Sequence, residues 1–173
     1  MNPTEFKERF KNAFGELPEG VELDLGKFRE FPSEQVESLS IAEGDKAILK
    51  EAGFPEDAAP FLSFTYNLER MNELIPDLGE AYSGFRVFGH NGSGDFISID
   101  ESDGSICYHN HDNRMQKVFI NSSLSQFAVA LCLMAEAIEA DYSTDFIALL
   151  NEVDPDALNE GTFWPLEYEM MKE

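Results

Sequence analysis

Apolar positions along this chain switch period, and the switches mark out its elements. Near the N-terminus Phe6, Phe10 and Phe14 recur every four residues, the spacing of one helix face. Thr4 is placed to cap a helix over residues 4–14, which Gly15 and Pro18 end. The stretch from there to Pro32 reads as extended and mixed, with a weak strand around Val21 to Leu25. Ser40 and Glu43 have the spacing of a capping box. They open a second helix in which Ile48 and Leu49 face the core, and Gly53 followed by Pro55 closes it. "FLSFT" (61–65) alternates apolar and small polar residues, as a strand does.

The middle of the chain changes to a period of two. "FRVFG" (85–89), "DFISID" (95–100), "SICYHNH" (105–111) and "KVFIN" (117–121) are short runs separated by turn residues. Ser102, Asp103 and Gly104 form a tight connection, and the spacing predicts an antiparallel meander. In "DFISID", Ile97 and Ile99 point to one face while Phe96 and Ser98 point to the other. Helical spacing returns after Ser122 or Ser123, either of which can cap. Leu124, Phe127, Leu131, Met134 and Ile138 form a stripe, and Ala130, Leu133 and Ala137 widen it. A helix so apolar packs across a sheet with little of it facing water. "STDFIALLNEV" predicts another helix, with Asp145 where the helix dipole favours an acid. Asp154-Pro155 breaks that helix, and a short one through Ala157 and Leu158 leads to "FWPLEYEMMKE". The order of helices, then strands, then helices is that of an α+β fold, and 173 residues suit a single domain, 1–173.

Charge alters this picture. Twelve basic residues against thirty-four acidic ones give a net charge of −22. Nucleic acids and anionic membranes are thereby poor partners, because their binding rests on Lys and Arg. A basic protein partner would be attracted and its encounter accelerated. No signal-like apolar core opens the chain, no apolar run reaches the roughly 18 residues of a membrane span, and the two cysteines, Cys107 and Cys132, form no disulfide framework. A cytoplasmic protein with buried structural thiols is expected.

The chemistry-bearing residues concentrate in Phe88–Asn113. Gly89, Gly92 and Gly94 run G-x-x-G-x-G, the reverse of a dinucleotide fingerprint, and a strand follows where a helix is needed. They read as turn glycines. His109 and His111 alternate on a strand, with Asp112 adjacent and His90 on a nearby turn. These are metal-ligating residue types without an established spacing, so a metal-dependent enzyme using them is the alternative to a binding module. No nucleophile elbow or Ser/His or Cys/His arrangement is present, and no carboxylate is marked as catalytic.

Four stretches together resemble a known family. "LKEAGFPEDAAPFLSF", "FRVFGHNGSGDFISID", "GSICYHNHDN" and "VFINSSLSQFAVAL" are similar, in order and spacing, to landmarks of the SUKH superfamily. These landmarks are a helix ending in Gly-apolar-Pro, a strand with a Gly-rich turn, an apolar-Asp strand end and an "NSSL..F" start to a long helix. The closing "VDPDALNEGTFW" matches the Asp-Pro turn and Trp that often end such chains. The likeness covers roughly residues 40 to 166. The Trp that many members carry near the Gly-rich turn is replaced by Phe88, His90 and Phe96.

The superfamily includes bacterial immunity proteins, which neutralise polymorphic toxins, and fungal cell-wall regulators. The resemblance implies a twisted antiparallel sheet with helices packed against it. It implies binding rather than catalysis, no cofactor, and as partner a toxin domain, in many cases a nuclease with a basic cleft. The contact surface expected on this reading is a rim carrying Gly92, Gly94, Asp95, Asp100, Asp103 and Asp112. A regulatory scaffold of the fungal type ranks lower, because the disordered flanks of such proteins are almost absent here.

Overall fold

The computed structural model describes residues 1–14 and 27–172; the weak strand expected around Val21 to Leu25 lies outside them. Helix α1 (Pro3–Asn12) starts two residues earlier than a cap at Thr4 would place it. Asn2 is the cap, accepting from Glu5 N at 2.9 Å while the Glu5 carboxylate accepts from Asn2 N at 3.3 Å, and Pro3 occupies a position where its missing N–H costs nothing. Phe6 and Phe10 are buried.

Helices α2 (Ser33–Glu37) and α3 (Glu43–Ala47) follow. Ser40 does not cap α3; its backbone N–H donates instead to Glu101 Oε1, and Ala42 holds the cap position. Helix α3 widens into a π-turn (Ile48–Ala52) that closes at Gly53, whose φ of +67° suits glycine. Ile48 and Leu49 are fully buried there, as their spacing predicts.

Strands β1 (Asp57–Ala58), β2 (Leu62–Arg70), β3 (Phe85–His90), β4 (Phe96–Asp100), β5 (Ile106–Asn110) and β6 (Gln116–Asn121) form one sheet in chain order, every neighbouring pair antiparallel. The predicted meander is therefore present, with β1 and the long β2 before it. Ile97 and Ile99 of β4, Ile106 of β5 and Phe88 of β3 enter the main core. That face is covered by α5 (Leu124–Glu139), capped by Ser123. Phe127 of α5 sits among the rings of Phe54, Phe64, Phe88 and Trp164 at centroid distances of 5.7, 5.8, 6.0 and 6.2 Å. Such edge and tilted contacts add to the area each ring buries.

Residues 71–84 carry no clear period in the sequence. They form helix α4 (Met71–Leu74) and two 3₁₀ turns (Pro76–Leu78, Glu80–Tyr82) that cover the other face of the sheet. Met71, Val87 and Cys107 are buried there, with Ser98 Oγ 3.6 Å from Cys107 Sγ.

Helix α6 (Phe146–Val153) begins at Asp145, whose carboxylate caps Ala148 N at 3.0 Å, and a 3₁₀ turn (Pro155–Leu158) follows Asp154. The C-terminal segment is a helix, α7 (Phe163–Lys172). Pro165 sits within its first turn, where proline is tolerated. No helix among the described residues is long and apolar enough to cross a membrane.

Candidate functional site

In a meander successive turns alternate between the two ends of the sheet, and this divides the expected rim. The β1–β2, β3–β4 and β5–β6 connections share one end; the β4–β5 turn lies at the other, about 14 Å of strand away. Gly92, Gly94, Asp95 and Asp112 therefore belong to one end, and Asp100 and Asp103 to the opposite one.

At that opposite end the acids hold their own turn. Asp100 is buried; its Oδ1 accepts from Ser102 N and Oγ at 2.9 and 2.6 Å, and its Oδ2 pairs with Lys117 Nζ at 2.6 Å. Burial opposes its ionisation, but the Lys117 ammonium and Ser102 outweigh it and keep the carboxyl below its usual range. Asp103 is exposed and accepts from Ser105 N at 2.8 Å.

At the first end Asp95 is likewise inside the structure. Its Oδ1 accepts from His111 N at 2.9 Å and is 2.6 Å from His111 Nδ1; its Oδ2 accepts from Asn91 Nδ2 at 3.1 Å. Burial opposes its ionisation, and these donors overcome it and hold the carboxyl low. The same contact, helped by the charge of Asp112, raises His111. Asp112 is exposed, 3.3 Å from His111 Nε2.

The histidines do not converge. His90 is exposed at the end of β3, and His111 is spent on Asp95. His109 is buried under the 3₁₀ turns, its ring centroid 4.5 Å from that of Phe85 and 5.4 Å from that of Tyr82, with Nδ1 lacking a partner. Burial and the nearby Lys117 push it down to about 4. Among the described residues no group of three or more His, Cys, Asp and Glu side chains is arranged to hold a metal ion.

What the first end does offer is a groove of about 470 Å³. Pro60 and Phe61 form one wall, the Asn91–Ser93 turn the floor, and Glu167, Met170 and Met171 of α7 the other wall. Gly92 is needed here for close approach: a Cβ on it would lie 2.9 Å from Phe61 Cβ. Asn91 Oδ1 accepts from Ser93 N and Asp95 N, and Gly94, at φ +84°, completes the turn.

Phe61 and Met170 are 72% and 69% exposed, unusual for such side chains, and Leu166 on the same helix is 56% exposed. Phe61 also holds φ +57°, a left-handed conformation that costs a non-glycine residue about 1 kcal/mol or more. A strained residue displaying a large apolar ring marks an interaction surface better than an acid in a turn does.

Sequence reasoning missed Phe61, Glu167, Met170 and Met171. Phe61 opens the run "FLSFT" and so reads as part of a strand, although the apolar phase of the alternation is carried by Leu62 and Phe64. The available signal was α7 itself. "FWPLEYEMM" carries apolar residues on more sides than one buried stripe can use, since Phe163, Trp164 and Tyr168 alone fill the core side.

Some of the stretches that carry the family resemblance supply this groove, Pro60 and Phe61 in one and Asn91–Ser93 in another; other landmarks lie inside the fold. Asp154 accepts from Asn121 Nδ2 at 2.8 Å and from Ser122 N and Oγ at 2.8 and 2.7 Å. Asp45 similarly accepts from Ser125 N and Oγ at 2.8 and 2.6 Å, joining α3 to the start of α5. A family model described as SUKH-4 immunity protein matches residues 9–169. No curated protein and no solved structure matches the chain.

Proposed function

The chain belongs to the SUKH-4 immunity protein family, and from that membership we propose that it protects its host by seating itself on a protein toxin and covering the toxin's working surface. It acts as a single domain in the cytoplasm, by binding and without catalysis. The toxin is basic and of nuclease type, so that an acidic inhibitor occupies the ground of the nucleic acid.

The observation that carries this reading is the groove between Phe61 and α7. It combines two exposed apolar walls with a carboxylate, Glu167, that has no partner among the described residues, in a chain of net charge −22. Apolar anchors supply the desolvated centre of an interface, and long-range charge supplies fast capture. Of the rim first expected from the sequence, Gly92 belongs to this surface as a wall-to-floor contact. Gly94 and Asp95 shape its turn, and Asp112 adds charge beside it.

The test is co-expression with toxin domains drawn from the host's own gene neighbourhood until the cognate one is found. Cells producing both should grow and yield a one-to-one complex that weakens as salt rises. Growth arrest despite abundant folded chain would refute the reading.

A further inference from the structure

Glu167 stands out among the groove residues. It is half-buried between apolar walls, and burial raises its carboxyl above the usual range with no cation opposing the effect. The one lysine of α7, Lys172, is paired with Glu169 at 3.3 Å. Asp95, the other shielded carboxylate at this end, has His111 and Asn91. The charges of both Asp95 and Glu167 reach Tyr108, whose hydroxyl is raised first by burial and then by these two acids. Thus the groove holds a negative field and one carboxylate that nothing in the described structure neutralises.

We propose that Glu167 is the anchor for an arginine side chain of the toxin partner, whose stem lies between Phe61 and Met170 and whose guanidinium forks onto the Glu167 carboxylate. The inference rests on the toxin-binding reading and specifies its central contact. Arginine fits because its planar cation is weakly hydrated, stacks on an aromatic ring and meets a carboxylate in two parallel hydrogen bonds. Phe61 supplies that ring, and Met170 and Met171 supply polarizable walls that adapt to a stem. The exposed Ser93 hydroxyl at the floor supplies a further acceptor. An isolated half-buried charge weakens the fold that carries it, which is the expected signature of a residue kept for a partner.

The experiment uses the whole chain with methyl-labelled methionine and two probe peptides, acetyl-Leu-Arg-Leu-amide and its uncharged isostere acetyl-Leu-citrulline-Leu-amide. Near-physiological salt suppresses the diffuse charge of the surface. The arginine peptide should shift the Met170 and Met171 methyl signals along a saturating curve, about tenfold more tightly than the citrulline peptide. Glu167→Gln should remove that difference. Glu169→Gln, which changes net charge equally, should preserve it.

Glu167→Gln should also raise the thermal midpoint at neutral pH, because it removes a charge whose ionisation burial disfavours. No selectivity for arginine, or equal effects of the two substitutions, would overturn the inference. Its failure differs from failure of the toxin reading. A chain that protects cells yet shows no arginine preference loses the anchor alone, whereas a chain that fails to protect loses the function whatever the peptides do.

Discussion

Trp164 donates its indole N–H to Asn121 Oδ1 at 2.8 Å, across forty-three positions of sequence, and both side chains are completely buried. Asn121 in turn donates to Asp154. The three residues come from the end of β6, the end of α6 and the start of α7, so one polar chain fastens the C-terminal helices to the sheet edge. Buried polar chains of this kind help specify a structure when every member is satisfied. The "NSSL", Asp-Pro and Trp landmarks of the sequence therefore serve the architecture, whereas the Gly-rich turn landmark contributes the floor of the groove.

Replacing Asn121 by Ala strands the Trp164 N–H inside the protein and removes one of the two donors to Asp154 Oδ2. The expected cost is about 3 kcal/mol in urea unfolding. Ser122→Ala, which removes one of three donors to Asp154, should cost about 1 kcal/mol.

His109 makes the fold acid-sensitive in a defined window. Its folded-state value, about 4, lies below its unfolded value of 6.5, so the unfolded chain binds the extra proton. The stability this provides is complete above 6.5 and is lost as pH falls toward 4, by about 2 to 3 kcal/mol. His111 runs the other way: its value is raised, so its contribution is full below 6.5 and fades at higher pH. Asp95 and Asp100, both held low, lose their contribution only at still lower pH. The difference in stability between wild type and His109→Leu, measured by urea unfolding from pH 7 to pH 4, isolates the His109 part and should follow this curve.

Phe61 and the fold are separable. Since its ring is mostly exposed and its φ is positive, Phe61→Gly should change stability by less than about 1 kcal/mol. The same change should weaken capture of the toxin domain about tenfold or more, as loss of an interface anchor does. Parallel thermal melts and calorimetric titrations check both halves.

The two thiols should be inert. Burial pushes Cys107 up to about 11 and Cys132 up to about 12, so neither presents a thiolate. A disulfide reagent at mildly alkaline pH should modify neither in the native chain and both in denaturant.

Much of the scaffold was legible because its signals are local. Ile97 and Ile99 alternate with Ser98, Gly53 ends a helix, Ser123 and Asp145 begin others, and Phe127 through Ala137 are apolar on every side that meets the core. Where two local signals competed, the wrong one could prevail: Thr4 and Ser40 have capping chemistry, but Asn2 with Glu5 and the bare Ala42 hold those positions.

The groove was not legible for a different reason. It is made by residues near 60, 92 and 170 that only the meander and the return of α7 bring together. Nor could composition tell a carboxylate whose donors lie within the fold, such as Asp95, from one with no donor among the described residues, such as Glu167. That distinction lives in the hydrogen-bond partners.

The central claim is that the Phe61–Gly92–Met170 end of the molecule is where the toxin sits. Amide hydrogen exchange on the complex with the toxin domain that the co-expression test identifies tests it most directly. The account predicts new protection confined to the segments around Pro60–Leu62, Asn91–Gly94 and Leu166–Met171. Protection at the Ser102–Gly104 turn or along α2 with these segments unchanged would contradict it.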